Sequence, residues 1–173
     1  MQKVLEFWFS TLRPSDWFKK SDEMDARVKE EFEVTYRQVI AGEASHWRDT
    51  PEGRLAEIIV LDQFARNMFR GTPASFAADP LALALAQEAV RNGDDQKLEM
   101  AQRVFLYMPY MHSESAIVHE KAMKLFDETP NRKYEVKHKA IIDRFGRYPH
   151  RNDVLGRNST PEGIEWMKEN KGF

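Results

Sequence analysis

The chain has 173 residues, 42% hydrophobic and 12% aromatic, with eight glycines, eight prolines and no cysteine. That composition belongs to a compact fold, and the length suits one domain burying about two-thirds of its unfolded surface, so a single all-α domain over 1–173 is expected. With 26 basic and 28 acidic residues and a net charge of −2, a global nucleic-acid surface is disfavoured, and the lack of cysteine excludes disulfides, thiol catalysis and thiolate metal sites.

The start, MQKVLEFWFSTLRPSDWF, is apolar but broken by Glu6 and Arg13, with no small-residue cleavage site. No run approaches the ~18 apolar residues of a membrane span. A cytoplasmic protein with no membrane and no nucleic-acid partner is expected.

Helical periodicity runs from end to end, without the alternation of a strand. A short element over Val4 to Phe9 comes first. Ser21 or Asp22 then caps a helix to about Ala41, with Met24, Val28, Phe32, Val39 and Ile40 inward and Gly42 as its stop. Thr50-Pro51-Glu52 supplies an N-cap, a first-turn proline and an acid at the positive end of the dipole, opening a helix to Phe69. Asp79-Pro80 repeats the device for a helix ending at Gly93. Helices over Leu98 to Met108, stopped by Pro109, and over Ser113 to Phe126 follow. The stripe Tyr134, His138, Ile141, Phe145 marks a further helix ended by Gly146, and Thr160-Pro161-Glu162 opens a short last one. The string TPEG thus occurs at 50–53 and 160–163, a reused helix start in different flanks. Seven to eight helices joined by short connections predict an antiparallel bundle or solenoid.

The segment 51–70 changes its polar side. At about 100° per residue, Arg54 and Glu57 mark one side as wet while Leu55, Ile58 and Ile59 are dry. Beyond Leu61 this reverses, so Asp62, Arg66 and Arg70 extend the line begun by Leu55 and Ile59. Either the helix leaves the core, with Asp62 and Arg66 as a solvated pair, or it turns a polar stripe comprising Asp62, Gln63, Arg66, Asn67 and Arg70 into an internal groove.

The stretch HSESAIVHE carries His112, Ser113, Glu114 and His119, with Ser113 read as an N-cap. Its histidines are seven apart, which does not match H-E-x-x-H, so no metal is expected. No phosphate-cradling glycine loop and no G-x-S-x-G appears, and no cofactor is expected. His46 and His138 read as structural. The stretch RFGRYPHRNDVLGR, residues 144–157, concentrates four arginines and a histidine. Tyr148-Pro149 forces an extended step and Asn152 and Gly156 suit turns, so Arg144, Arg147, His150, Arg151 and Arg157 are displayed on irregular backbone. Arginine forks fit carboxylate or phosphate; they equally cap helices and pair with Asp62, Glu114 or Asp153.

VLEFWF, TPEGRLAEIIVLDQFARNMFRGTPASFAADPLALALA, FLYMPYMHSES and RFGRYPHRNDVLGRNSTPEG together resemble the bacterial family catalogued as domain of unknown function 924 over nearly the whole chain. The resemblance implies an all-α, tetratricopeptide-repeat-like fold and no known reaction. Its pattern falls on Asp62, Gln63, Arg66, Asn67, Arg70, His112, Ser113, Glu114, Arg144, Gly146, Arg147, Pro149, His150, Arg151, Asn152, Leu155, Gly156 and Arg157. Ser115 and Gly163 depart from its usual Asp and Glu, and no clear 34-residue repeat is present.

Two functional readings follow. In one, Arg66, Arg70, Arg144 and Arg151, with Asp62, Gln63, Asn67, Arg147, Asn152 and Arg157 around them, hold a small anionic ligand or a peptide carboxylate. His112, Glu114 and His150 would then move a proton. In the other, a helical interaction module docks a peptide through a concave face and the aromatics Trp8, Trp17 or Trp47, and the polar motif is a structural network. Neither sets an oligomeric state.

Overall fold

A computed structural model describes residues 1–170; the last three residues of the expected domain lie outside them. Among the described residues there are eight helices and no strand. Helix α1 comprises Gln2–Leu5 and a π-helical turn, Glu6–Thr11; α2 is Asp22–Ile40. Helix α3 is Pro51–Ile59, a π turn Val60–Phe64, and Ala65–Met68. Then come α4, Asp79–Arg91, α5, Met100–Met111, α6, Ala116–Leu125, α7, Arg132–Phe145, and α8, Pro161–Glu169. None is long and apolar enough to cross a membrane.

Helix α3 is the axis of the fold, packed by α1, α2, α4 and α5. Its start follows from side-chain capping: Thr50 Oγ1 accepts the amide of Gly53 at 3.1 Å, and Thr160 does the same for Gly163 in α8 at the same distance. Gly53 is also required sterically, since a Cβ there would lie 1.9 Å from the Trp47 carbonyl oxygen. Ser21 caps α2 through the amide of Met24, and Gly146 ends α7 in the left-handed conformation, φ 66°.

The main core is aromatic: the Phe32 and Phe64 rings meet at 4.5 Å, tilted by 39°, and Trp8 meets Phe105 edge-on at 5.3 Å. Trp8 is therefore unavailable for docking; it is 2% exposed, and its carbonyl accepts the Trp17 indole N–H at 2.7 Å. A smaller cluster of Ile141, Ile142 and Tyr148, covered by Phe145 and Trp166, seats the C-terminal segment.

Four sequence expectations are corrected. Pro109 does not stop α5, which continues to Met111. A proline removes a single intrahelical bond, and the buried neighbours Tyr107, Met108, Tyr110 and Met111 hold the last turn. Ser113 does not cap α6; its Oγ accepts the amide of Ser115, and the helix opens at Ala116. Ile40, expected inward, is 46% exposed as the last residue of α2. Glu57, expected on a wet side, is buried and held by both arms of Arg48 at 2.7 Å, a charge made tolerable inside by full pairing.

Candidate functional site

The polar reversal of α3 has a local cause. A π turn accommodates an extra residue, so beyond Ile59 the helical positions rotate, and Asp62 and Gln63 point inward although every position from Leu55 to Ala65 is buried. The polar stripe is internal at Asp62 and Gln63, half-buried at Arg66 and Asn67, and reaches the exterior at Arg70.

Asp62 is the hub. Its Oδ1 meets His112 Nδ1 at 2.7 Å and Arg66 Nη1 at 3.0 Å, and Gln63 Nε2 donates to its Oδ2. His112 is delivered from the C-cap of α5, the helix that Pro109 fails to end. Arg66 also donates to the Asp62 carbonyl at 2.8 Å and grips Asp79 with both arms, at 2.8 and 2.9 Å. Asp79, expected as a helix cap, stands at the first position of α4 and spends its carboxylate here. Arg151 approaches the same Asp79 at 3.4 Å, with its guanidinium between Tyr148 and Phe76, 4.5 and 4.6 Å from the ring centroids. Arg151 is 6% exposed, and its Nε has no hydrogen-bond partner.

The electrostatics divide the charged from the neutral groups. Burial would raise the Asp62 carboxyl, but Arg66, His112 and the hydrogen bonds outweigh it and hold the group at about 2. Burial, then the charge of Arg66, pushes the His112 imidazole down despite Asp62. Burial likewise lowers His138 to about 3 and, with Arg151 adding to it, His150 to about 4. Near neutral pH the imidazoles are uncharged, and the arginines carry the positive charge.

A cavity of about 470 Å³ opens over this network. Arg66, Arg70, Arg151, Lys19 and Lys20 line it together with His112, His138 and His150 and the aromatics Trp17, Phe18, Tyr134 and Tyr148, and no carboxylate belongs to the lining. Behind the wall, Asp62 and Asp79 neutralise Arg66, and Asp25 holds Arg70 and accepts from Asn67 at 2.8 Å. Lys19 and Lys20 make no ion pair among the described residues. Five cations thus face three carboxylates, leaving two positive charges toward the cavity. A second cavity of about 350 Å³, walled by Phe76, Leu83, Pro109 and Leu155, shares His112 and Arg151 with the first.

Of the residues singled out in the sequence, Gln63, Arg66, Asn67, Arg70, His112, His150 and Arg151 line the larger cavity, and Asp62 stands behind them against His112. Glu114, Asn152 and Arg157 form a second network, in which Glu114 also lies on the wall of the smaller cavity. Glu114 accepts the Tyr148 amide at 2.7 Å and both arms of Arg157 at 2.6 and 2.9 Å. Arg157 in turn donates to Asn152 at 3.0 Å, which donates to Ser159. Although burial opposes it, this pairing keeps the Glu114 carboxyl below the usual range. Arg144 lies on the outside, paired to Glu162 at 2.8 Å, and Arg147 is exposed; neither lines either of these two cavities.

Sequence reasoning missed Lys19, Lys20, Asp25, Asp79 and Tyr148, whose roles come from segments far apart in the chain. It also missed a buried pair, His119 Nδ1 to Glu135 Oε1 at 2.7 Å. His119 Nε2 donates to the Ser113 carbonyl at 2.8 Å, so a single proton lies between ring and carboxyl, and burial raises the Glu135 carboxyl against the pull of His119. This pair ties the 112–115 turn, which carries His112, to α7.

No curated protein matches the chain. A solved structure of the protein of unknown function ATU0120 from Agrobacterium tumefaciens superposes with a TM-score of 0.93 at 35% identity, covering 98% of this chain and 97% of that one. The family described as bacterial protein of unknown function, DUF924, matches residues 4–171, and the chain belongs to that family.

Proposed function

We propose that the larger cavity is a binding site for a small anionic ligand, a carboxylate or a phosphate. The observation that carries this reading is a concave wall with five cationic side chains and no carboxylate, in a chain whose net charge is −2. Such a surplus, set against low-dielectric walls, concentrates anions locally. Arg151 supports it further: stacked between two rings, it is held ready for a partner that Asp79 only grazes.

The test is calorimetric and thermal-shift titration at low salt with inorganic phosphate, with succinate, and with a peptide bearing a free or an amidated C-terminus. A saturable rise in Tm for at least one anion is expected, weakened about fivefold per charge in K19Q and K20Q, from roughly 1 kcal/mol for each contact at water-like screening. Both lysines are exposed and unpaired, so these variants keep the fold. No response beyond that of chloride at equal ionic strength would overturn the reading, and a response confined to the free peptide C-terminus would assign the site to peptide recognition.

A further inference from the structure

The larger cavity contains an acceptor as well as donors. The Asp62 carboxylate pairs with Arg66 and accepts from the Gln63 amide, and against burial the charge of Arg66 helps to keep it ionised, so in its contact with the His112 ring it is the acceptor. The proton of the His112 contact therefore sits on Nδ1. With burial and Arg66 opposing a second proton, Nε2 carries a bare lone pair. Nε2 makes no hydrogen bond to the protein and is not among the polar atoms sealed from solvent, and the ring lines the cavity. A carboxylate that orients a histidine in this way sets the tautomer offered to a ligand. The π turn of α3 makes the arrangement possible, because it brings Asp62 and Gln63 inward together.

The surrounding charge adds a second condition. Two positive charges remain after Asp62, Asp79 and Asp25 are counted, and they lie with Arg151, Lys19 and Lys20. A monoanion leaves one of them unmet.

We propose that the cavity selects a dianion bearing a hydroxyl group, its anionic groups against Arg151, Lys19 and Lys20 and its hydroxyl donating to His112 Nε2. This rests on the anion-binding reading above and adds the class of ligand, with His112 as the residue that determines specificity. A hydroxy-dicarboxylate and a phosphate monoester with a neighbouring hydroxyl share this chemistry. A site built around such an acceptor discriminates strongly against the analogue lacking the hydroxyl, which leaves the acceptor dry and unpaired.

The experiment compares matched pairs by calorimetry at pH 7.5: malate with succinate, and glycerol phosphate with propyl phosphate. The hydroxylated member of at least one pair is expected to bind roughly tenfold more tightly or better, and the pair that does so identifies the anion. In H112F that preference disappears, while the remaining affinity follows the cations. Because H112F leaves Asp62 short of a partner, nitrogen NMR of the unaltered protein supplies a test independent of folding. The Nδ1 of His112 is expected protonated and Nε2 bare, with the Nε2 signal moving only for the hydroxylated ligand. If no member of either pair binds, the anion-binding reading falls and this inference with it. If both members bind equally, or NMR places the proton on Nε2, the inference alone is overturned.

Discussion

Two ion networks lie side by side around residues 144–157, built from the same residue types and completed differently. In the one around Glu114, every arm has a protein partner: Arg157 fills both carboxylate oxygens, the Tyr148 amide adds a third bond, and Asn152 and Ser159 close the chain. In the one around Asp62 and Asp79, cations outnumber carboxylates, one guanidinium nitrogen has no partner, and the ring of His112 offers a lone pair to a cavity. A satisfied network fixes a loop; an unsatisfied one with space before it can bind. The number of arginines does not distinguish the two, and the number of their partners does.

Acid should separate them most strongly. The histidines of the open site have lowered pKa values when folded, whereas in the unfolded chain they take protons near pH 6.5. Stability is thus complete above about pH 6.5 and falls as pH drops toward about 4 for His150 and about 3 for His138. The slope approaches about 1.4 kcal/mol per pH unit for each histidine. Glu114, with its lowered carboxyl, contributes stability that is present above the ordinary carboxylate range and is lost as pH falls through that range toward its lower folded value. Denaturant titrations across pH 4 to 7 should show the upper window unchanged in E114Q; a flat profile there would contradict burial of neutral imidazoles.

Asp79→Ala leaves Arg66 and Arg151 buried without their shared carboxylate, and about 3 kcal/mol of stability should be lost. Inorganic phosphate should restore part of it and bind more tightly than to the unaltered chain, because one more positive charge faces the cavity. Glu114→Ala frees Arg157 and the Tyr148 amide, for a loss of about 2 kcal/mol; here phosphate should restore nothing beyond its effect on the unaltered chain. Rescue of both variants alike would erase the distinction between the networks. The smallest effect belongs to Arg144→Gln, which removes an exposed pair with Glu162 and should change stability by under about 0.5 kcal/mol, with phosphate affinity unchanged.

Much of the helical frame was legible because its signals are local. Thr50 and Thr160 announce helix starts through a side chain that reaches an amide three residues on, and Gly146 announces an end through a conformation that other residues resist. The reversal of polarity after Leu61 was legible as well, although the pattern alone left two explanations open. Pro109 misled because buried neighbours hold the turn beyond it, and Ser113 because its hydroxyl accepts the amide of Ser115 and the helix opens only at Ala116.

What tertiary structure decided was which polar groups meet. Asp62 and His112 are fifty residues apart, and Asp79 and Arg151 seventy-two; no spacing rule connects such positions. Their meeting depends on a π turn inside α3, on α5 running past a proline, and on a small core beneath Tyr148. By itself the sequence determined an all-helical chain with an arginine-rich segment and matching acids, since propensity, capping and charge are properties of neighbouring residues. Packing alone could decide which arginines were neutralised and which were left facing a cavity, because burial sets the cost of an unpaired charge and only the folded chain determines burial.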